Sequence, residues 1–422
     1  MKKIIVFIFL VTGLCITSNA QSDLKARIEF EEGEKAFNES RYDEAVNRLS
    51  KAQDFLGVWS AKISYLKILS LDKLADYQKF ENSHTQLLNK EVKLYMDFVS
   101  KNQETIIEDK FKAVYRIDEK INYAYKLSQN EKMPEYLNGI EAYDKKDYAA
   151  ALKLWEQAAV KGNLLAMDKI SDMYRDEIGV KRDYEKSIEW DTKAAAQGHY
   201  PSIADIGTMY YQGWGVTIDY QKAVEKLTLG AENGLDYAMY YLGNLYCDKK
   251  STIQDTAKGV EWLTKAATLG YVPAMVKLGW INYDNKNYKK AMDWFKMASD
   301  KGSSEALVDV GHLYTRGQGV TVDNLEAMKW FQMAIDKGYP LGMFRAAYLY
   351  QKGLGVNKDI HKAISLYVMA AEKGYGSSKE WIPVSNSMEV LAEIYRTGDG
   401  VKKDKKLADE WQAKCDAVRR KK

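Results

Sequence analysis

The residues able to do chemistry in this chain are few and scattered. Its four histidines, His84, His199, His312 and His361, stand far apart, and no HExxH pair, CxxC or Cys/His run supplies the spacing that holds a metal ion. Ser-x-x-Lys, a spacing that can set a nucleophilic hydroxyl beside an amine, occurs as "SDLK" from Ser22 to Lys25 and "SLDK" from Ser70 to Lys73. Both matches fall in terminal or helical-looking stretches with no base in register, so chance accounts for them. Glycine pairs in "GWGV" (Gly213 to Val216), "GQGV" (Gly317 to Val320) and "GLGV" (Gly353 to Val356) lack the preceding strand, third glycine or Lys-Ser/Thr of a phosphate cradle. Asp183, Asp219, Asp255, Asp323 and Asp359 could be imagined as a carboxylate ladder. Each stands two to four residues before a predicted helix, where a carboxylate caps free amides and favours the helix dipole. No catalytic residue, metal site or cofactor is expected.

The spacing of the glycines explains the rest. Gly162, Gly198, Gly234, Gly270, Gly302, Gly338 and Gly374 lie 36, 36, 36, 32, 36 and 36 residues apart. A period of this size belongs to a solenoid, in which each unit buries its apolar face only against its neighbours. From Gly234, small or apolar residues return as Ala238, Leu242, Gly243, Leu245 and Tyr246, the periodicity of a helix, here helix A. The glycine turn and aspartate follow, then helix B with Trp190 and Ala194, Trp262 and Ala266, Trp294 and Ala298, or Trp330 and Ala334. Tryptophans that recur at one helical position read as interhelical core. Each phrase is thus helix A, turn, helix B and a glycine stop.

The unit from Gly270 is four residues short and has no glycine turn. Its Tyr283, Tyr288, Ala291 spacing is that of a tighter hairpin, shared with Tyr143, Tyr148, Ala151 and with Phe37, Tyr42, Ala45. Residues 55–135 keep a helical pattern but lose the motif, predicting longer irregular helices. "YGSSKEWIPVSNS" after Gly374 interrupts the array and predicts an ordered loop near 375–387.

These residues resemble the Sel-one-like repeat family, a relative of the tetratricopeptide repeat, over roughly 140–418. The recurring pattern "A…LG.LY..G.GV..D…A..W…AA..G" carries the likeness, and the tighter hairpins are similar to tetratricopeptide repeats. The resemblance implies an all-α fold, an α/α solenoid forming a right-handed superhelix of stacked helical hairpins. The division is then a leader at 1–20, a tetratricopeptide-like and irregular helical region at 21–135, and the array at 136–422. Some secreted relatives have been described as β-lactamases or penicillin binders, but these carry a cysteine pair in each repeat. Such pairs are missing here, which removes most support for an enzyme.

Function is expected on the inner side of the curve, along helix A, where this superfamily holds proteins or peptides. Positions six, ten and thirteen after the glycine share one side and vary between units: Tyr211, Tyr240, Asn244, Trp280, His312, Phe344 and Tyr348. Aromatic and amide side chains suit a protein-binding surface, while the plainer reading of these positions is packing between repeats. The expected partner is a protein or peptide.

At 422 residues and 46% hydrophobic, the chain can bury a large core. Its 62 basic and 59 acidic residues are interleaved, which leaves no nucleic-acid footprint. The opening "MKKIIVFIFLVTGLCITSNAQ" reads as a secretory signal cleaved after Ala20. Lipidation at Cys15 is the rival, but Leu14 stands where lipoprotein signals have a small residue. Export to the periplasm or beyond is expected, with no membrane-spanning segment in the mature chain. Cys247 and Cys415 remain, too few for a disulfide framework, and read as buried thiols.

Overall fold

The computed structural model describes residues 18–77, 79–102, 107–373 and 381–420. Most of the expected leader, with Cys15, and residues 374–380 of the expected loop lie outside them. Every regular element among the described residues is a helix, and the chain forms two compact units, Met1–Gly198 and His199–Lys422. Among the described residues, no helix is long and apolar enough to cross a membrane.

The first unit holds α1 (Ser18–Asn38), α2 (Tyr42–Leu56), α3 (Ala61–Leu74), α4 (Ser83–Lys101), α5 (Glu108–Glu131), α6 (Pro134–Asp144), α7 (Tyr148–Val160), α8 (Leu164–Asp176) and α9 (Tyr184–Ala195). The tight hairpins read from aromatic spacing are α1–α2 and α6–α7. Their turns pass through Ser40 and Lys146 with φ of 59° and 62°. Phe37 meets Tyr42 at 5.9 Å and Tyr143 meets Tyr148 at 5.3 Å, while Ala45 and Ala151 are buried at the crossings. Of helices α3 to α5, only α4 and α5 are long, with 19 and 24 residues, and the three gather on Ile68, Leu71, Leu88, Val92 and Ile121.

The second unit holds α10 (Tyr200–Gln212), α11 (Tyr220–Glu232), α12 (Asp236–Cys247), α13 (Thr256–Thr268), α14 (Val272–Asp284), α15 (Tyr288–Asp300), α16 (Ser304–Arg316), α17 (Asn324–Asp336), α18 (Pro340–Lys352), α19 (Ile360–Lys373), α20 (Trp381–Thr397) and α21 (Lys405–Arg420). Even-numbered helices are A and odd-numbered helices are B, each pair a hairpin packed on the next. Successive A helices also touch, α10 with α12, α16 with α18, and α18 with α20, whereas no comparable pairing joins successive B helices. The segment from Trp381, expected as a loop, is helical, with Val384, Ser385 and Ser387 buried.

One loop device repeats in both units. The amide of Asp183 donates to the carbonyl of Tyr174, Asp219 to Tyr210, Asp323 to Tyr314 and Asp359 to Tyr350, each at 3.0 Å. The same aspartates accept from the third residue of helix B, for example Asp219 from the amide of Lys222 at 3.0 Å. They are therefore N-caps. Gly319 shows why the turn requires glycine: its φ is +76°, and a Cβ there would meet the carbonyl carbon of Tyr288 at 2.8 Å.

The packing corrects the reading of the tryptophans. Trp262, Trp294 and Trp330 rest against the core but stay half-buried, and the next residue, Leu263, Phe295 or Phe331, is the fully buried one. Lys193 covers Trp190 and Lys265 covers Trp262, each ammonium 4.1 Å from the indole centroid. The small residue of helix A makes room for those buried side chains: a Cβ on Gly279 or Gly311 would strike the ring of Phe295 or Phe331. Of the two thiols, Cys415 is buried and Cys247 is half-buried; both are free.

Candidate functional site: the A-helix face

The seven expected site residues all stand on A helices of the second unit: Tyr211 on α10, Tyr240 and Asn244 on α12, Trp280 on α14, His312 on α16, Phe344 and Tyr348 on α18. Only Tyr348, 46% exposed, is open to solvent; the other six are half-buried.

Tyr240 and Trp280 share a groove of about 320 Å³, together with Val272, Pro273, Val276, Lys277, Ser303 and Glu305. Tyr240 is fixed by Tyr241 and Tyr271, each with centroids at 5.3 Å. Trp280 is held edge-on by Tyr283 at 5.2 Å and Phe295 at 5.5 Å. His312 joins this chain of rings through Tyr283, at 6.2 Å and 22° between planes. Burial above all, then Arg345 and Arg316, push its imidazole down to about 4, so it is neutral near pH 7.

The remaining residues separate. Phe344 turns towards the core against Tyr367, centroids 5.6 Å apart. Tyr211 lies over Tyr220 at 6.4 Å, and burial with Asp248 nearby raises its phenol above the usual range. The Oδ1 of Asn244 is buried without a hydrogen bond.

Residues at position seven were missed by the sequence reading although they share the register. Lys277 of α14 lines the groove, and its counterparts are Asp309 of α16 and Arg345 of α18. A regular position carrying lysine, aspartate and arginine in turn was the available signal.

A third Ser-x-x-Lys also escaped notice. Ser64 and Lys67 of α3 both bond Glu91 of α4, Ser64 Oγ to Oε2 at 3.0 Å and Lys67 Nζ to Oε1 at 2.8 Å. Their exposures are 1%, 7% and 8%, so both carboxylate oxygens are engaged and the hydroxyl is closed to a substrate. Of the two matches read earlier, Ser70 donates to Leu66 O at 2.9 Å while Lys73 is exposed, and Ser22 bonds the carbonyl of Phe55. None forms an open nucleophile–base pair.

The Sel1 repeat pattern matches residues 124–163, 164–199, 201–235, 236–271, 272–303, 304–339, 340–375 and 385–411. The chain belongs to the Sel1 repeat family. Its repeats build α/α hairpin solenoids that generally serve as scaffolds for protein–protein interaction. The protective antigen c5321 of uropathogenic Escherichia coli, which displays this fold, is 21% identical with a TM-score of 0.50, over 97% of this chain and 91% of that one. A Sel1 repeat protein from Oxalobacter formigenes is 24% identical with a TM-score of 0.47, over 67% and 97%. The immunity protein Pa5087 from Pseudomonas aeruginosa is 20% identical with a TM-score of 0.36, over 49% and 83%. A comparison with curated proteins finds no match.

Proposed function

We propose that this Sel1 repeat protein is an exported, non-catalytic scaffold that holds a protein or peptide segment on the inner, A-helix face of its second unit. The carrying observation is the groove of Tyr240, Val276 and Trp280, an aromatic recess with Lys277 and Glu305 in its lining, whose rings are held by tilted and edge-on neighbours before a partner arrives. Export rests on the charged and apolar opening that precedes α1. The absence of an open nucleophile–base pair at the three Ser-x-x-Lys spacings among the described residues supports a role without turnover.

The test is site-specific photo-crosslinking in the producing cell. A crosslinking side chain is placed at Tyr240, Tyr348 or, as a control on the B face, Met333. A discrete adduct from the first two positions and none from Met333 is the expected result. Adducts from Met333 alone, or from none of the positions, overturn the A-face reading. Cell fractionation of the same samples tests export, since cytoplasmic recovery of the unprocessed chain contradicts it.

A further inference from the structure

Position seven adds charge to the aromatic groove. Asp309 is 6% exposed, and its Oδ2 is buried without a hydrogen bond. The Nε of Arg345 is also buried and unpaired. Among the described residues, Lys277, Arg316 and Arg345 form no ion pair.

Asp309 is a poor counter-ion for these groups. Burial, aided by Glu305 one turn earlier and opposed by Arg345, pushes its carboxyl up to about 8, so it carries a proton at neutral pH. Burial and Arg316 lower the arginine's own value, but a guanidinium stays charged under ordinary conditions. The other acids on α14 and α16 are Asp284, exposed at the end of α14, and Glu305, exposed at the start of α16, which lines the same groove as Lys277 without an ion pair to it. His312 is neutral, as described above. The face therefore presents a lysine and two arginines, none of them in an ion pair, beside a groove for an apolar side chain whose lining also holds Glu305.

We infer that Lys277 and Arg345 form a subsite for an acidic peptide segment whose neighbouring aromatic or large aliphatic side chain enters the Tyr240–Trp280 groove. One carboxylate meets Lys277 at the groove wall. A second meets Arg345, while Asp309 is 6% exposed and does not reach the peptide. Two steps between neighbouring helices of 8–10 Å separate these cations by about 20 Å, which an extended chain covers in about six residues. The inference rests on the A face being the peptide-binding face and adds the partner's chemistry.

The experiment is selection of a phage-displayed random dodecapeptide library on the immobilised protein and on Arg345→Gln. The selected peptides should combine aromatic residues with Asp and Glu enriched about threefold over the unselected library. Arg345→Gln should lose the enrichment of the acid remote from the aromatic residue and keep both the aromatic residue and the acid beside it. A selected peptide, dye-labelled and followed by anisotropy, should bind about tenfold more weakly when the acid remote from its aromatic residue becomes an amide, and that difference should collapse on the variant. Circular dichroism checks folding; if Arg345→Gln fails to fold, Lys277→Gln replaces it with the same expectation for the acid beside the aromatic residue. Aromatic peptides without acidic enrichment, or enrichment unchanged by the variant, overturn this inference and leave the groove standing. Selection of no peptide overturns the inference and the peptide-binding reading together.

Discussion

The imidazole of His312 lies nearly parallel to the ring of Tyr283, 6.2 Å away and 22° from coplanar, bridging helices α16 and α14. Burial first, with Arg345 and Arg316 behind it, lowers its folded value from 6.5 to about 4. The unfolded chain consequently binds more protons between those limits. The stability due to the neutral ring is fully present above pH 6.5 and is lost as pH falls through about 4. Thermal melts of the parent and His312→Gln should diverge over this range, the parent losing more. NMR of the ring proton should give the low midpoint directly, and a midpoint near 6.5 refutes the burial.

Asp309 has the opposite sign. Its folded value is raised from 3.8 to about 8, so its favourable contribution is present below 3.8 and disappears as pH rises through about 8. Asp309→Asn should stabilise the protein at pH 8–9, by about 1–3 kcal/mol on the scale of an unpaired buried polar group. Denaturant melts at pH 5 and pH 9 read the difference. Equal effects at both pH values contradict a proton held at this site.

Trp280 and Tyr348 should part company in stability. Trp280 rests edge-on against Phe295, whereas Tyr348 is 46% exposed. Trp280→Ala should cost about 2–3 kcal/mol, below the fully buried Trp-to-Ala range, and Tyr348→Ala under about 0.5 kcal/mol. Urea midpoints measure both. The tyrosine variant is thus the cleaner probe of binding.

The loop device makes a local prediction. Asp323 accepts from the amide of Glu326 at 2.9 Å, and Gly319 turns with φ of +76°. Asp323→Ala should cost about 1 kcal/mol and Asp323→Asn much less, because asparagine also caps. Gly319→Ala adds left-handed strain of about 1–2 kcal/mol to a backbone clash, and should be the worse change. Melting of single variants ranks them, and the reverse order rejects the close approach of this loop to Tyr288.

The Ser64, Lys67 and Glu91 cluster should be structural. Lys67→Met, which strands a buried carboxylate, should cost about 3–5 kcal/mol. Adding Glu91→Leu should recover much of that loss. A chromogenic β-lactam should show no turnover by the purified parent; turnover abolished by Ser64→Ala rejects the structural reading.

Much of the fold was legible because its determinants are local. The tight hairpins followed from Phe37 and Tyr42, or Tyr143 and Tyr148, a few residues apart on one turn. The capping role of Asp219 followed from its place before helix B. The pairing of Lys67 with Glu91 was hidden because those residues are joined across α3 and α4, where no repeat marks the register. The choice between Trp330 and Phe331 as the buried residue was hidden too. The two stand about 100° apart on helix B and both border its apolar stripe, and both positions repeat from unit to unit.

The candidate site divides in the same way. Periodicity identified the A-helix positions and brought Tyr240, Trp280 and His312 forward, while giving no reason to separate Phe344, which faces Tyr367. Position seven was unread, since lysine, aspartate and arginine in alternation look like an ordinary solvated surface until packing buries Asp309 and half-buries Lys277 and Arg345.

The amino-acid order alone established the hairpin, its 36-residue period, its glycine turns and the family likeness, because each depends on backbone preferences and side-chain spacing inside one repeat. Which polar atoms lose water, which rings stack and which cations lack a counter-ion were decided only by tertiary packing. Those properties depend on how closely the next hairpin approaches, and desolvation changes steeply over the width of one water molecule.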